Sequence, residues 1–181
     1  TRFEDVPRQS VSHRLLEAFS LERWRGEYRA LGRLFFFVHT PTDVVAKSPL
    51  FGMGPGSYGA GTAAAFHFTE SYERAGVPFG IHGTEGYIDN NWFSLWGELG
   101  TIGILAYLAL MAALVRAAWI VSKTSSDPLM RGIALGYLGV TAAIIFQAFL
   151  ATYLEVRTLA LYYWLVGGII LYHRYESSPR S

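Results

Sequence analysis

The sequence predicts an all-α membrane protein: a large outward-facing loop region with amphipathic helices, followed by three transmembrane helices. Three observations predict it. Of 181 residues, 51% are hydrophobic and only 16% charged, where soluble domains carry about a quarter. The charges are unevenly placed: residues 1–88 hold nine basic and nine acidic side chains, and 89–181 hold six and five. In that second half the charges edge long apolar runs, on the scale of the roughly 20 helical residues that cross a hydrocarbon core of about 30 Å. A net charge of +1 supplies no basic field for nucleic acid, and zero cysteine removes disulfides, thiolate metal sites and cysteine nucleophiles.

The elements follow in order. Between Val11 and Val38, residues Leu15, Leu16, Phe19, Trp24, Tyr28, Leu31, Leu34 and Phe35 recur at helical spacing. This predicts one or two amphipathic helices suited to the outer interface. Arg25, Arg29 and Arg33 fall on one face. Two readings of that stripe stand: guanidinium forks that match phosphate oxygens, or a solvated face paired with Glu22 and Glu27.

Ser48 to Gly59 reads SPLFGMGPGSYG. Gly54, Gly56 and Gly59 satisfy G-x-G-x-x-G formally. Pro55 sits inside the turn, Gly61 interrupts any helix start and no βαβ unit is visible, so a nucleotide site is set aside. The glycines instead permit tight backbone turns near a ligand or a membrane face. Residues 60–88 read as loop. His67 and Glu70 offer two metal ligands on one turn, but no third ligand has suitable spacing, so neither metal nor cofactor is expected.

Asp89 to Gly100 reads DNNWFSLWGELG and runs straight into the first span. Asp89 stands at the mouth of a helix, where the dipole favours a carboxylate; the ordinary reading is an N-cap. Glu98 lies at the start of the hydrocarbon region, where an ionisable group is costly and faces the protein interior. It is either a hydrogen-bonding anchor or a direct participant in a reaction.

The first span runs from Ile102 to Val115, and to Val121 if Arg116 snorkels to the inner headgroups. Gly132 to Leu154 is the second. Thr158 to Tyr172 is shorter and has to start near Leu154 or end at the interface. Lys123, Arg131, Arg174 and Arg180 place the 122–131 loop and the C-terminus in the cytoplasm, with residues 1–88 outside. Tyr153, Tyr162, Tyr163 and Trp164 suit the outer interface. Residues 1–88 are thus the outer region, 89–175 the membrane region and 176–181 a disordered tail. A chain that begins at Thr1 with a large outer segment and no signal peptide is expected to be a fragment of a larger multi-span bundle.

In order, and followed by spans, SPLFGMGPGSYG and DNNWFSLWGELG resemble the O-antigen ligase and polymerase family of bacterial membrane proteins. Pro49, Gly52, Gly54 and Gly56 match the first family element. Asp89, Asn90, Phe93, Glu98, Gly100 and Gly103 match the second. The resemblance covers about residues 20–172. It implies inverting transfer of a glycan from a polyprenyl-pyrophosphate carrier to an acceptor sugar hydroxyl, on the outer face of the bacterial plasma membrane, without metal, nucleotide sugar or cofactor. Ligases pass the glycan to a lipid A core sugar; polymerases pass it to another carrier-linked repeat unit. Ligases carry a His where this chain has Asp89, which is similar to polymerases.

On this resemblance Asp89 is the candidate general base and Glu98 the second catalytic candidate. Arg23, Arg25, Arg29 and Arg33 are candidates for the donor pyrophosphate, and Asn90 and His82 for substrate. His82 and His67 are also reserve bases. Gly52, Gly54 and Gly56 shape the loop. A ligase is the alternative, and a non-enzymatic glycan flippase or export component the second. A transporter calls for broken helices and polar groups at mid-membrane; the first two spans offer only Thr141 and Gln147 there, which favours outer-face chemistry.

Overall fold

The computed structural model describes residues 21–29, 33–59, 63, 65–79, 88, 90–149, 154 and 157–176. Asp89, His82, Tyr153, the expected helical start at 11–20 and the tail from Ser177 lie outside the described residues. Every regular element among the described residues is helical. Helix α1 is Leu21–Arg29 and α2 is Arg33–His39; α2 continues through a π-helical turn at Thr40–Val44 and a 3-10 turn at Val45–Lys47. Helix α3 is Glu70–Ala75, α4 Asn91–Thr124, α5 Pro128–Gln147 and α6 Arg157–Glu176.

Helices α4 and α5 are long and apolar enough to cross a membrane. Their ends are set by local chemistry. The Asp127 carboxylate accepts the Leu129 N–H at 2.9 Å, and Pro128 takes the first helical position, where its missing N–H costs nothing. Helix α5 then stops at Gln147, short of the expected Leu154. The carbonyls of Ala148 and Phe149 serve α4 instead: Ala148 accepts the Asn91 N–H at 2.9 Å, and Phe149 accepts from Asn90 Nδ2 at 3.0 Å.

The same contacts force a bend. Helix α4 has 34 residues, about 51 Å if straight, against about 30 Å for the 20 residues of α5. Yet the start of α4 is bonded to the end of α5, and only Ser125 to Asp127 join their other ends. A straight helix cannot meet both. The chain breaks at Gly100, whose φ of 65° and ψ of −172° are not helical. The head, residues 91–99, is thereby a separate short helix on top of the apolar shaft, residues 101–124.

Two cores result. In the bundle, Met111, Leu114 and Ala118 of α4 pack with Ala134 and Tyr137 of α5 and with Tyr163 and Ile170 of α6. Tyr163, expected at the outer interface, is instead buried, its ring stacked on Tyr137 with centroids 5.0 Å apart. Ser125 Oγ lies 3.1 Å from His173 Nε2, so the α4–α5 turn and the end of α6 share one end of the bundle. The second core gathers Phe35, Phe36, Val44, Tyr58, Tyr72 and Phe79 from the segment before α4.

Candidate functional site

The segment Pro49–Gly59 and the head of α4 form one unit. A break in a helix strands backbone groups: carbonyls above it and N–H groups below it lose their partners. Here the loop supplies the partners. Met53 N–H donates to the Gly97 carbonyl at 2.8 Å and Gly54 N–H to the Glu98 carbonyl at 3.0 Å. On the other side of the break, Thr101 N–H donates to the Pro49 carbonyl at 2.9 Å and Ile102 N–H to the Leu50 carbonyl at 3.2 Å.

This backbone-to-backbone fit requires glycine on both sides. A Cβ on Gly52 would lie 2.4 Å from the Glu98 carbonyl oxygen, and one on Gly100 would lie 2.4 Å from the Gly52 nitrogen. Gly52, Gly54 and Gly56 all have positive φ, at 71°, 108° and 75°, a region that side chains disfavour. A Cβ on Gly97 would stand 2.1 Å from the Tyr58 ring.

Tyr58 pins the loop from outside. It is fully buried; its hydroxyl hydrogen-bonds Thr40 Oγ1 at 2.8 Å, and its carbonyl accepts the Tyr72 hydroxyl at 2.5 Å. Burial pushes the Tyr58 hydroxyl well above the ordinary tyrosine range, so it stays neutral.

Glu98 is half-buried, and its Oε1 accepts the Gly59 N–H at 2.8 Å. This is the anchoring geometry: a carboxylate satisfying a buried amide of the loop. Asn90, not Asp89, makes the observed N-cap. Its Oδ1 accepts the Phe93 N–H at 3.1 Å while its Nδ2 holds Phe149, so both ends of its amide are engaged. Asn91 is fully buried, and its side-chain amide has no hydrogen-bond partner among the described residues.

The opposite side of the head is apolar. Trp92, Phe93 and Trp96 cover a groove of about 530 Å³, floored by shaft residues such as Ile104, Leu108 and Met111 and closed by Ile145 of α5 and by Phe149 just beyond its end. Trp92 is fixed there by its Nε1–H, which donates to the Ile145 carbonyl at 3.2 Å.

Arg25 and Arg29 are exposed on α1, and neither forms an ion pair with a described residue. Arg23 belongs to α1 and Arg33 begins α2; their side chains lie outside the description. His67 is exposed at a positive φ of 53°, with its ring edge-on to Phe79 at 5.0 Å. Glu70 pairs with Arg74 at 2.9 Å. No group of three potential metal ligands occurs among the described residues.

One cluster was not foreseen. His39 Nδ1 bonds the Asp43 carboxylate, and His39 Nε2 lies 2.9 Å from the Tyr28 hydroxyl. The Phe35 ring stacks on the imidazole at 4.0 Å. The His39 hydrogen bond holds the Asp43 carboxyl below its ordinary range. The His-x-x-x-Asp spacing across one helical turn was the available signal. The helical turn that carries it, residues 40–44, contains Pro41 and is not marked by apolar periodicity.

The structure thus brings the two glycine-bearing motifs together, with Glu98 between them. Comparison with family models, with curated proteins and with solved structures finds no match for the chain.

Proposed function

We propose that this chain is the C-terminal part of a membrane glycan polymerase. It transfers a polyprenyl-pyrophosphate-linked oligosaccharide to an acceptor sugar hydroxyl on the outer face of the bacterial plasma membrane. In this reading α4, α5 and α6 are three spans, the segment before α4 faces outward and the C-terminus is cytoplasmic. The observation that carries the reading is the head of α4. One of its sides is clasped to the glycine loop, with Pro49, Gly52, Gly54, Glu98 and Gly100 of the family resemblance in the contact, and the other covers an apolar groove. A lipid-linked glycan is itself a polar head on a hydrocarbon tail and needs both environments at one membrane surface. The break at Gly100 stands near the start of α4 and is filled by backbone, whereas a transport site calls for an interruption near mid-membrane.

The chemistry is a single inverting displacement. The acceptor oxygen bonds to the donor sugar C1 as the C1–O(phosphate) bond breaks, its electron pair leaving on the pyrophosphate. Arginine side chains at Arg25 and Arg29 neutralise that charge; Arg23 and Arg33 are proposed to join them. The acceptor proton passes to the Asp89 carboxylate, an effect of about 10²–10⁴-fold for a well-placed general base. Glu98 acts here as a positioning residue: its bond to Gly59 holds the loop against the head.

The test is transfer in vitro by the full-length protein in vesicles, with a carrier-linked repeat unit as sole sugar source. Elongated glycan with stoichiometric release of polyprenyl pyrophosphate supports the reading. Transport of the intact lipid-linked unit across the vesicle membrane without elongation overturns it.

A further inference from the structure

We propose that Leu50 and Phe51 insert among the phospholipid acyl chains of the outer leaflet, held there by the break in α4. The outer segment then contains a short re-entrant piece as well as a water-facing one. The inference rests on α4 crossing a membrane and is independent of glycan transfer.

Three observations carry it. The first is depth. The carbonyls of Pro49 and Leu50 accept the N–H groups of Thr101 and Ile102, so the loop is bonded to the first residues of the shaft. It is fixed at the level where the apolar span begins, below the head that caps it. The second is side-chain character. Leu50 is 53% exposed and Phe51 72% exposed, and the Leu50 carbonyl is bonded to the N–H of Ile102, which like Leu105 one turn further on is exposed on the shaft. A surface continuous with a membrane-crossing helix meets the same solvent as that helix.

The third is polar satisfaction. Irregular backbone is tolerated at membrane depth only where its polar groups find partners inside the protein. The carbonyls of Ser48, Pro49 and Leu50 and the N–H groups of Gly52, Met53 and Gly54 meet that condition. Besides the bonds from Pro49 and Leu50, Gly52 N–H donates to the Ser48 carbonyl at 2.9 Å, and Met53 and Gly54 donate to the carbonyls of the head.

The chain has no cysteine, and any cysteine elsewhere in the full-length protein is first replaced by serine. Phe51→Cys in the full-length protein, carrying an environment-sensitive fluorophore, is reconstituted into phosphatidylethanolamine and phosphatidylglycerol vesicles. Leu105→Cys is the hydrocarbon control, and Ala46→Cys, exposed on the 3-10 turn, the aqueous one. Quenching is read with iodide in water and with phospholipids bearing a nitroxide on the acyl chain.

The expected result is a Phe51 label quenched by lipid nitroxide nearly as strongly as the Leu105 label, and shielded from iodide. A label as open to iodide as that at Ala46 overturns the proposal. So does a label shielded from both quenchers, which would mean that protein covers the loop. Gly100→Ala, which disturbs the break, should move the Phe51 label into iodide reach while Leu105 stays in lipid. A Phe51 label that remains lipid-quenched in that variant overturns the role of the break. The measurement without that substitution decides insertion by itself, even if the variant does not fold.

Discussion

The clasp at the head of α4 and the bundle below it are built on opposite rules. In the bundle, large side chains such as Leu114, Tyr137 and Ile170 fill the space between helices, and the backbones stay regular. In the clasp, backbone lies directly on backbone, and the fit depends on side chains that are absent at Gly52, Gly97 and Gly100. The lesson is that the bundle depends on filled volume between its helices and the clasp on positions left empty. The bundle loses stability when atoms are removed; the clasp loses it when they are added. Arranged by expected size, the following outcomes break or sharpen that contrast.

Gly100→Ala carries the largest stability effect. It combines a left-handed backbone position with overlap against Gly52 and Leu50, for about 2–5 kcal/mol. Thermal unfolding of the detergent-solubilised protein reads it directly, and a midpoint equal to wild type would remove the clasp from the account. Adjacent glycines in α6 give an internal control. A Cβ on Gly167 would meet the Tyr137 hydroxyl at 2.7 Å and Leu114 Cδ1 at 3.1 Å, whereas Gly168 has nothing within 4 Å. Gly167→Ala should cost about 1–3 kcal/mol by overpacking. Gly168→Ala should be neutral, or stabilising by up to about 1 kcal/mol through helix propensity.

Glu98 separates anchoring from charge. Glu98→Ala leaves the buried Gly59 N–H without its acceptor, for about 1–3 kcal/mol. Glu98→Gln keeps an oxygen in place and should unfold within about 1 kcal/mol of wild type while retaining transfer. Loss of transfer in a well-folded Glu98→Gln would return Glu98 to the chemistry itself.

The smallest effect is electrostatic. The His39 hydrogen bond lowers the Asp43 carboxyl below its ordinary value of 3.8. A carboxyl lowered on folding stabilises the fold above the ordinary value, and the contribution fades as pH falls through the lowered one. Below pH 3.8 the His39 contact therefore weakens, and with it the Tyr28 link that ties α1 to α2. Amide hydrogen exchange in α1 should rise there. Asp43→Asn should exchange fast at neutral pH as well and lose this pH dependence.

Much of the fold was legible in the sequence, because charge-free runs and helical periodicity report what a segment can bury. That reading located α4, α5 and α6 and the two helices around Trp24 and Phe35. It overran α5, since apolar composition does not mark where Asn90 and Asn91 claim the carbonyls of Ala148 and Phe149. It also missed the break at Gly100. A glycine in an apolar helix looks the same whether the helix continues or another backbone enters it, and only the distant Pro49–Gly54 segment decides which. For the same reason the two motifs were legible separately, but their contact was not.

The central claim, glycan polymerisation, is tested most directly by the chain-length profile of cell-surface glycan on gels. Strains lacking the full-length gene are compared with strains carrying it back as wild type or as Asp89→Ala at matched protein level. The account predicts that deletion leaves single repeat units without long chains, that wild type restores the ladder and that Asp89→Ala does not. Long chains persisting in the deletion strain, stranded on the lipid carrier, would contradict polymerase activity in favour of a ligase; an unchanged glycan profile would contradict a glycan transferase altogether.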